Sequence, residues 1–446
     1  MVNKKYSTFE SFEFYGEFFA DPNNQKVKFP GKVNYSTQNG LQLNYNISCP
    51  DVSDRCERIF GILDSGQKCT LVTSFDFSTG THRLGSIHIR NGIHGFYYFL
   101  IGDYVFEEDE FEYCHFTFNG MQEFFHPQGR MSNLKFSPQP IQEIRGDDWR
   151  INVEHNAKFQ YAGLNAANFL HSDNEEVLKE LNDLFAEFHI KHPKEYLNIR
   201  NELKFHFNYK KEHQQTPSDF ISDTIKISSL FSILLNKPVF PDELVLYKNN
   251  GKSIHVVNSL CLQSRTVELS KSEISHLLLP INFNKIDLPT ALTKWFEVYE
   301  YFKVIAVSHQ HETNFRTLHT AYSDIILYGT NLEAINSELG GDSSVKYTKP
   351  IEYYGSEQLI SILDEIFSPY PNKHGLGGNI SNLRNELAHV GRPKPMMGKL
   401  SIEDYMDIGQ VFKLVVVSHL FQKLEIPMSL IHEYQERYLP YRDENS

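Results

Sequence analysis

Ser381-Asn382-Leu383-Arg384-Asn385-Glu386-Leu387-Ala388-His389-Val390-Gly391 is the stretch on which the reading of this chain turns. Ser381 or Asn382 can cap a helix start, and Gly391 followed by Arg392-Pro393 can end it. The spacing therefore predicts a short helix of about two to three turns. Leu383 and Leu387 form an i,i+4 apolar pair that would anchor it on neighbouring helices. Asn385 and His389 are also i and i+4, so the amide can orient the imidazole. Arg384 lies about 140° round the helix from His389, at ~100° per residue.

The chemistry of these side chains is specific. Arginine is a permanent cation whose planar fork fits phosphate oxygens. Histidine exchanges a proton near neutral pH, and a place in the last helical turn favours its protonated form. An imidazolium can donate a proton to a leaving 5′-oxygen, and a neutral ring can take one from a 2′-hydroxyl. The flanks agree. Between residues 371 and 400, Lys373, Arg384, Arg392, Lys394 and Lys399 stand against a single acid, Glu386. The chain as a whole carries a net charge of −13, so this is a local reversal of sign of the kind phosphate binding needs.

The surrounding pattern is helical from about residue 285. Pro289–His309, Thr313–Tyr328, Gln358–Phe367 and Ser401–Leu424 repeat apolar residues at three and four. Ser401 with Asp404 reads as a capping box. Residues 338–355 and 368–380 read as loops, with Gly375-Leu376-Gly377-Gly378 a flexible lead-in to the Arg384 helix. The expectation is a bundle of four to six helices.

Residues 9–130 read differently. Phe12, Phe14 and Tyr15 open an aromatic strand, Asn39-Gly40 marks a hairpin, and a second hairpin is expected at Asp64-Ser65-Gly66. Short strands with such turns suggest a sandwich or barrel. Residues 150–280 mix signals: helices at Glu175–His189 and Ile225–Leu235, and a strand at Leu203–Tyr209. The expected fold is α+β. It comprises a β-rich domain over 1–150, a mixed α+β continuation over 151–284 and an all-α bundle over 285–446.

The bundle with Arg384-Asn385-Glu386-Leu387-Ala388-His389 resembles the HEPN family. Phe14-Tyr15-Gly16-Glu17-Phe18-Phe19, Phe29-Pro30-Gly31 and Gly61-Ile62-Leu63 with Thr70-Leu71 resemble the N-terminal region of ApeA-type bacterial antiphage proteins. The resemblance implies a metal-independent endoribonuclease leaving 2′,3′-cyclic phosphate and 5′-hydroxyl ends. It implies pairing of two HEPN domains, as a homodimer or higher oligomer, about one cleft. It also implies abortive infection, in which RNA, with tRNA a candidate, is cut when a phage-derived trigger is sensed. Arg384, Asn385 and His389 match the family's catalytic pattern. Arg392, Lys394 and Lys399 would bind flanking phosphates. The β-rich region would sense the trigger or restrain the nuclease. A non-catalytic HEPN regulator that binds RNA or protein is the alternative.

Other features carry less. Arg200-Asn201-Glu202-Leu203-Lys204-Phe205-His206 nearly copies the motif, but its alternation reads as a solvated strand edge. Cys114-His115 is not a catalytic pair, because adjacent strand residues face opposite ways. His309-Gln310-His311-Glu312 lacks partners for a zinc site and reads as a turn facing water, with His311 or Glu312 able to approach the cleft. The five cysteines, Cys49, Cys56, Cys69, Cys114 and Cys261, include no Cys-x-x-Cys pair and suggest a reducing cytoplasm. No cofactor, metal or membrane span is expected.

Overall fold

The computed structural model describes residues 6–24, 28–47, 55–76, 81–84, 87–128, 136–161, 165, 170–195, 197–389, 391 and 393–440. Its N-terminal strands are β1 (Phe12–Phe19), β2 (Phe29–Ser36), β3 (Gly40–Ile47), β4 (Arg55–Leu63), β5 (Lys68–Asp76), β6 (Thr81–Leu84), β7 (Ile87–Phe96), β8 (Tyr98–Gly102) and β9 (Phe111–Phe118). A short helix α1 (Met121–Phe125) precedes β10 (Gln142–Arg145) and β11 (Trp149–Tyr161). Then come α2 (Glu175–Lys191), β12 (Asn198–Gln215), α3 (Pro217–Leu234), β13 (Pro241–Tyr247), β14 (Ser253–Asn258) and α4 (Ser264–Lys271).

Both expected hairpins are present. Ser36 pairs with Gly40, whose φ of +67° suits the tight turn, and β4 turns into β5 at Gly66 with φ +79°. The strands form one 14-stranded antiparallel sheet in the order β10-β11-β12-β9-β13-β14-β8-β5-β4-β1-β2-β3-β7-β6. The mixed second region thus extends the sheet of the first, and β9 lies between β12 and β13. The sheet curls on itself: Phe14 of β1 and Phe99 of β8 lie three strands apart in the order, yet their rings meet edge to face at 5.3 Å. Phe12, Phe18, Phe29, Val33, Leu43, Ile59 and Leu71 fill the core inside that curl.

The Leu203–Tyr209 alternation is a strand; its Phe207–Tyr209 end lies between β11 and β9, whereas Arg200–His206 pairs among the described residues with β11 alone, the strand edge that the sequence predicts. Phe205, Phe207 and Tyr209 are buried on one face, while His206 on the other face is only 8% exposed. Helix α2 forms as its periodicity predicts, yet it buries none of its residues, and Val177, Leu184 and Ile190 stay exposed. Helix α3 starts eight residues before its expected first turn, at a Thr216–Asp219 capping box. Its buried Ser228, Ser229 and Ser232 hydrogen-bond carbonyls of their own helix, which hides it from an apolar count.

Among the described residues seven helices follow: α5 (Leu288–Gln310), α6 (Leu318–Glu338), α7 (Thr348–Tyr354), α8 (Glu357–Phe367), α9 (Gly375–Ala388), α10 (Ile402–Lys423) and α11 (Met428–Tyr438). The count exceeds the expected four to six. Helix α7 falls in a stretch read as loop, because it is short and its one apolar face (Pro350, Ile351, Tyr354) is interrupted by polar residues. Helix α10 is the bundle's axis, buried on most of its circumference and capped by Ser401 with Asp404 as the sequence predicts.

Helix α3 joins sheet and bundle. On one side Phe231 stacks on Phe118 of β9 at 4.2 Å. On the other, the indole of Trp295 donates to the Lys226 carbonyl at 2.8 Å and the Tyr434 hydroxyl to the Ile233 carbonyl at 2.7 Å. Trp149 of β11 stacks directly on Phe296 of α5, also at 4.2 Å. Half of the sheet and the whole bundle share one apolar core.

Candidate active site

The motif helix α9 begins at Gly375, not at Ser381 or Asn382. The glycines that looked like a flexible lead-in are its first turn. Their smallness serves packing: the Asn372 amide donates to Asn379 Oδ1 at 3.1 Å, and Asn379 donates to the Tyr370 carbonyl at 2.8 Å. A Cβ on Gly378 would stand 2.5 Å from Asn372 Oδ1, so any side chain there breaks the lock. Leu383 is fully buried and Leu387 packs beside it, as the i,i+4 pair predicts.

Arg384 points across α9 to α6. Its Nη2 donates to Thr330 Oγ1 at 3.4 Å, and its aliphatic stem runs beside Gly329. Glu333, one turn along α6, faces the guanidinium. Burial alone would raise its carboxyl, but the Tyr347 hydroxyl, Lys346 and the charge of Arg384 hold it below the usual carboxylate range. Arg384 is half-buried, and its Nε has no hydrogen-bond partner among the described residues. A fixed cation therefore sits in the site; its Nε is enclosed, so an anion would be met by the Nη groups at the end of the side chain.

His389 is one step beyond its expected place. Helix α9 ends at Ala388, and His389 is its C-cap with extended φ and ψ; its N–H donates to the Asn385 carbonyl at 3.1 Å. The ring is exposed and makes no hydrogen bond to a described residue. Asn385 thus meets His389 through backbone, and its amide is half-buried without a described hydrogen bond. Arg384 and the last helical residue, Ala388, lie about 6 Å apart along the axis at 1.5 Å per residue, and His389 follows in extended backbone.

Glu386 is the residue the sequence reading undervalued. Its carboxylate is buried and accepts the N–H groups of Met396 at 2.9 Å and Met397 at 3.0 Å. Lys394 donates to the Glu386 carbonyl at 2.8 Å, so its ammonium closes the C-terminal end of α9. Lys399 is exposed, its ammonium 5.4 Å from the Tyr370 ring centre, while the Tyr370 hydroxyl donates to the Lys399 carbonyl at 2.9 Å. Arg392 lies outside the described residues. The basic loop is therefore tied to α9 by Glu386, an acid of the helix itself. Glu386→Ala strands two N–H groups and should lower unfolding free energy by about 2–3 kcal/mol in urea titrations. Glu386→Gln, which keeps an acceptor, should cost less. A loss below about 0.5 kcal/mol for the alanine variant, the range of ordinary surface changes, would refute the tie.

The His309–Glu312 segment faces water only in part: His311 is exposed, whereas His309, Gln310 and the Glu312 side chain turn inward. Glu312 accepts both Arg316 Nη atoms, at 2.7 and 2.8 Å, and Lys413 of α10 at 3.1 Å. Burial would raise its carboxyl; Arg316 and Lys413 overcome that and hold it far below the ordinary range. His309 is buried and pushed down to about 3 by desolvation and Lys413, so the ring is neutral. Both residues belong to the bundle's interior and not to the Arg384 site. His311 of this segment meets the ring of Phe240 edge to face at 5.7 Å.

Comparison with known families follows the same division. The family described as ApeA N-terminal domain 1 matches residues 13–295. The family described as Apea-like HEPN matches residues 298–430. No curated protein and no solved structure gives a significant match.

Proposed function

The chain belongs to the ApeA family, with a C-terminal HEPN region of the nuclease type found in antiphage defence, and from that premise we propose a metal-independent endoribonuclease that acts in abortive infection. His389 is the general acid and base, Arg384 holds the scissile phosphate, and Asn385 positions His389 or the substrate. Arg392, Lys394 and Lys399 contact flanking phosphates. The observation that carries this reading is Arg384 itself, a half-buried cation on α9, with an exposed imidazole at the C-cap of the same helix. The 2′-hydroxyl attacks the adjacent phosphorus while His389 takes its proton. Arg384 balances the charge gathering on the phosphoryl oxygens, and an imidazolium protonates the departing 5′-oxygen.

One helix presents one arginine and one histidine at different angles, so a homodimer that doubles them gives a fuller cleft. Exposed Tyr301, Val304 and Val307 on α5 supply apolar area for pairing. The substrate is RNA, with tRNA the first candidate, and the setting is the cytoplasm; no helix among the described residues is long and apolar enough to cross a membrane. The sheet region senses a phage-derived trigger or restrains the bundle. Its shared core with the bundle through α3 supports a restraint built on direct contact.

The 3′-end chemistry of the product tests this. Full-length protein should cut cellular RNA in EDTA, with or without extract of phage-infected cells, leaving 2′,3′-cyclic phosphate and 5′-hydroxyl ends. Ends carrying 3′-hydroxyl and 5′-phosphate would overturn the mechanism. RNA bound but uncut under every condition would favour the non-catalytic regulator.

A further inference from the structure

The near-copy of the motif at Arg200–His206 leads elsewhere. His206 on β12 stands directly opposite Glu154 on β11. His115 on β9 is opposite Asn208, two residues further along β12. Strand alternation puts all three on the sheet face away from Phe116, Val153 and Phe207, which are buried in the core. One ligand-capable atom from each, two imidazole nitrogens and a carboxylate oxygen, lie within 4.8 Å of one another.

We infer that His115, Glu154 and His206 form a binding site for a divalent transition-metal ion of the zinc class, with a fourth position open to water. The geometry suits the ion. His206 Nε2 and Glu154 Oε2 are 3.3 Å apart. Bonds of about 2.0–2.1 Å in a tetrahedron place neighbouring ligand atoms ~3.4 Å apart. The supports of the ligands also fit. Glu154 Oε1 accepts Asn208 Nδ2 at 3.2 Å, which leaves Oε2 turned towards His206. Asn156 lies at hydrogen-bond distance, 3.4 Å, from His206 Nδ1. With its amide oxygen on that side, it accepts a hydrogen bond from Nδ1–H and leaves Nε2 as the ligand. His115 is flanked by the Tyr247 ring at 4.8 Å, itself stacked on Tyr113 at 4.7 Å, so the imidazole is held in place. Two histidines and one carboxylate are a donor set that zinc and its neighbours accept, whereas calcium and magnesium prefer all-oxygen sites.

The ion would staple β9, β11 and β12. This site is separate from the Arg384 helix and does not depend on the nuclease reading. The test is Zn2+ titration of chelator-stripped full-length protein against a chromophoric competitor, with bound metal counted by mass spectrometry. Wild type should take up about one equivalent per chain and melt a few degrees higher with Zn2+. Glu154→Gln, His115→Ala and His206→Ala should each weaken binding at least ~10-fold, the lower bound seen even for a lost supporting residue. His389→Ala should bind as wild type does. Glu154→Gln preserves shape and the Asn208 contact, so it decides the matter if a histidine variant misfolds. Uptake below a tenth of an equivalent, or uptake unchanged in Glu154→Gln, would overturn the assignment.

Discussion

His389→Ala should cut RNA roughly 10²–10⁴-fold more slowly than wild type while unfolding at the same temperature. The magnitude is that of removing a general acid–base group. The unchanged stability follows from position: the ring is exposed and beyond the last helical residue, where substitutions cost within about 0.5 kcal/mol. Arg384→Ala should lose about 10²–10³-fold, the usual cost of removing one stabiliser of transition-state charge. Arg384→Lys should recover little, because an ammonium cannot reproduce the fork that spans α9 and Thr330. Initial rates of oligonucleotide cleavage in EDTA measure all three. Arg200→Ala is the control, since Arg200 sits on strand β12 of the sheet, paired with Phe159 of β11, and not on a helix of the bundle. Cleavage by His389→Ala at wild-type rate would remove the proposed catalyst, and equal loss in Arg200→Ala would remove the proposed site.

Glu312→Ala should produce the largest loss of stability in the bundle, about 3–5 kcal/mol by denaturant titration. The carboxylate is the common acceptor for Arg316 and Lys413, and it also takes the N–H groups of Thr313 at 2.9 Å and Asn314 at 2.8 Å. Lys413 has only 8% of its side chain exposed, and Arg316 only 20%. Removing the acid leaves two enclosed cations, with Asp324 at 3.7 Å a weaker partner for Arg316. Lys413→Met should cost less, because Glu312 and Arg316 still close a bidentate pair. The pH dependence has a definite sign. A carboxyl held low in the folded state stabilises above its unfolded pKa, and that contribution drains away as acid protonates it. Wild type should therefore lose stability below about pH 4.5 more steeply than Glu312→Gln. An alanine variant within ~0.5 kcal/mol of wild type would show that the network is not stabilising. The network also joins the end of α5 to the start of α6, the helix whose Thr330 and Glu333 frame Arg384.

Local signals made much of this legible. Asn39-Gly40 specifies its hairpin because both residues tolerate the turn's dihedrals, and Ser401 with Asp404 specifies the start of α10. The Arg384–His389 segment reads correctly as the C-terminal end of a helix. Its start does not, because Gly375–Gly378 has poor helix propensity and is held by the side-chain bond of Asn372 to Asn379, which helix propensity does not count. Glu333 and Thr330 escape for a different reason: they reach Arg384 from another helix some fifty residues away in sequence. Glu386 read only as the single acid in a basic stretch, and its burial with the Met396 and Met397 N–H groups reveals its task. The His115, Glu154 and His206 cluster depends on the register of β9, β11 and β12, which pairing across distant strands decides.

The place of β9 has a consequence in time. Its two neighbours in the sheet, β12 and β13, begin 80 and 123 residues after Phe118, at Asn198 and Pro241. At about 5–20 residues per second of synthesis, β9 waits several seconds to some tens of seconds with bare edges on the ribosome. Chaperone dependence and aggregation on overproduction follow from that delay. The same order has a protective side. The sheet's last strand is complete before α5 is made, and α9 comes later still. The region proposed to restrain the nuclease is thus already synthesised when Arg384 and His389 first emerge.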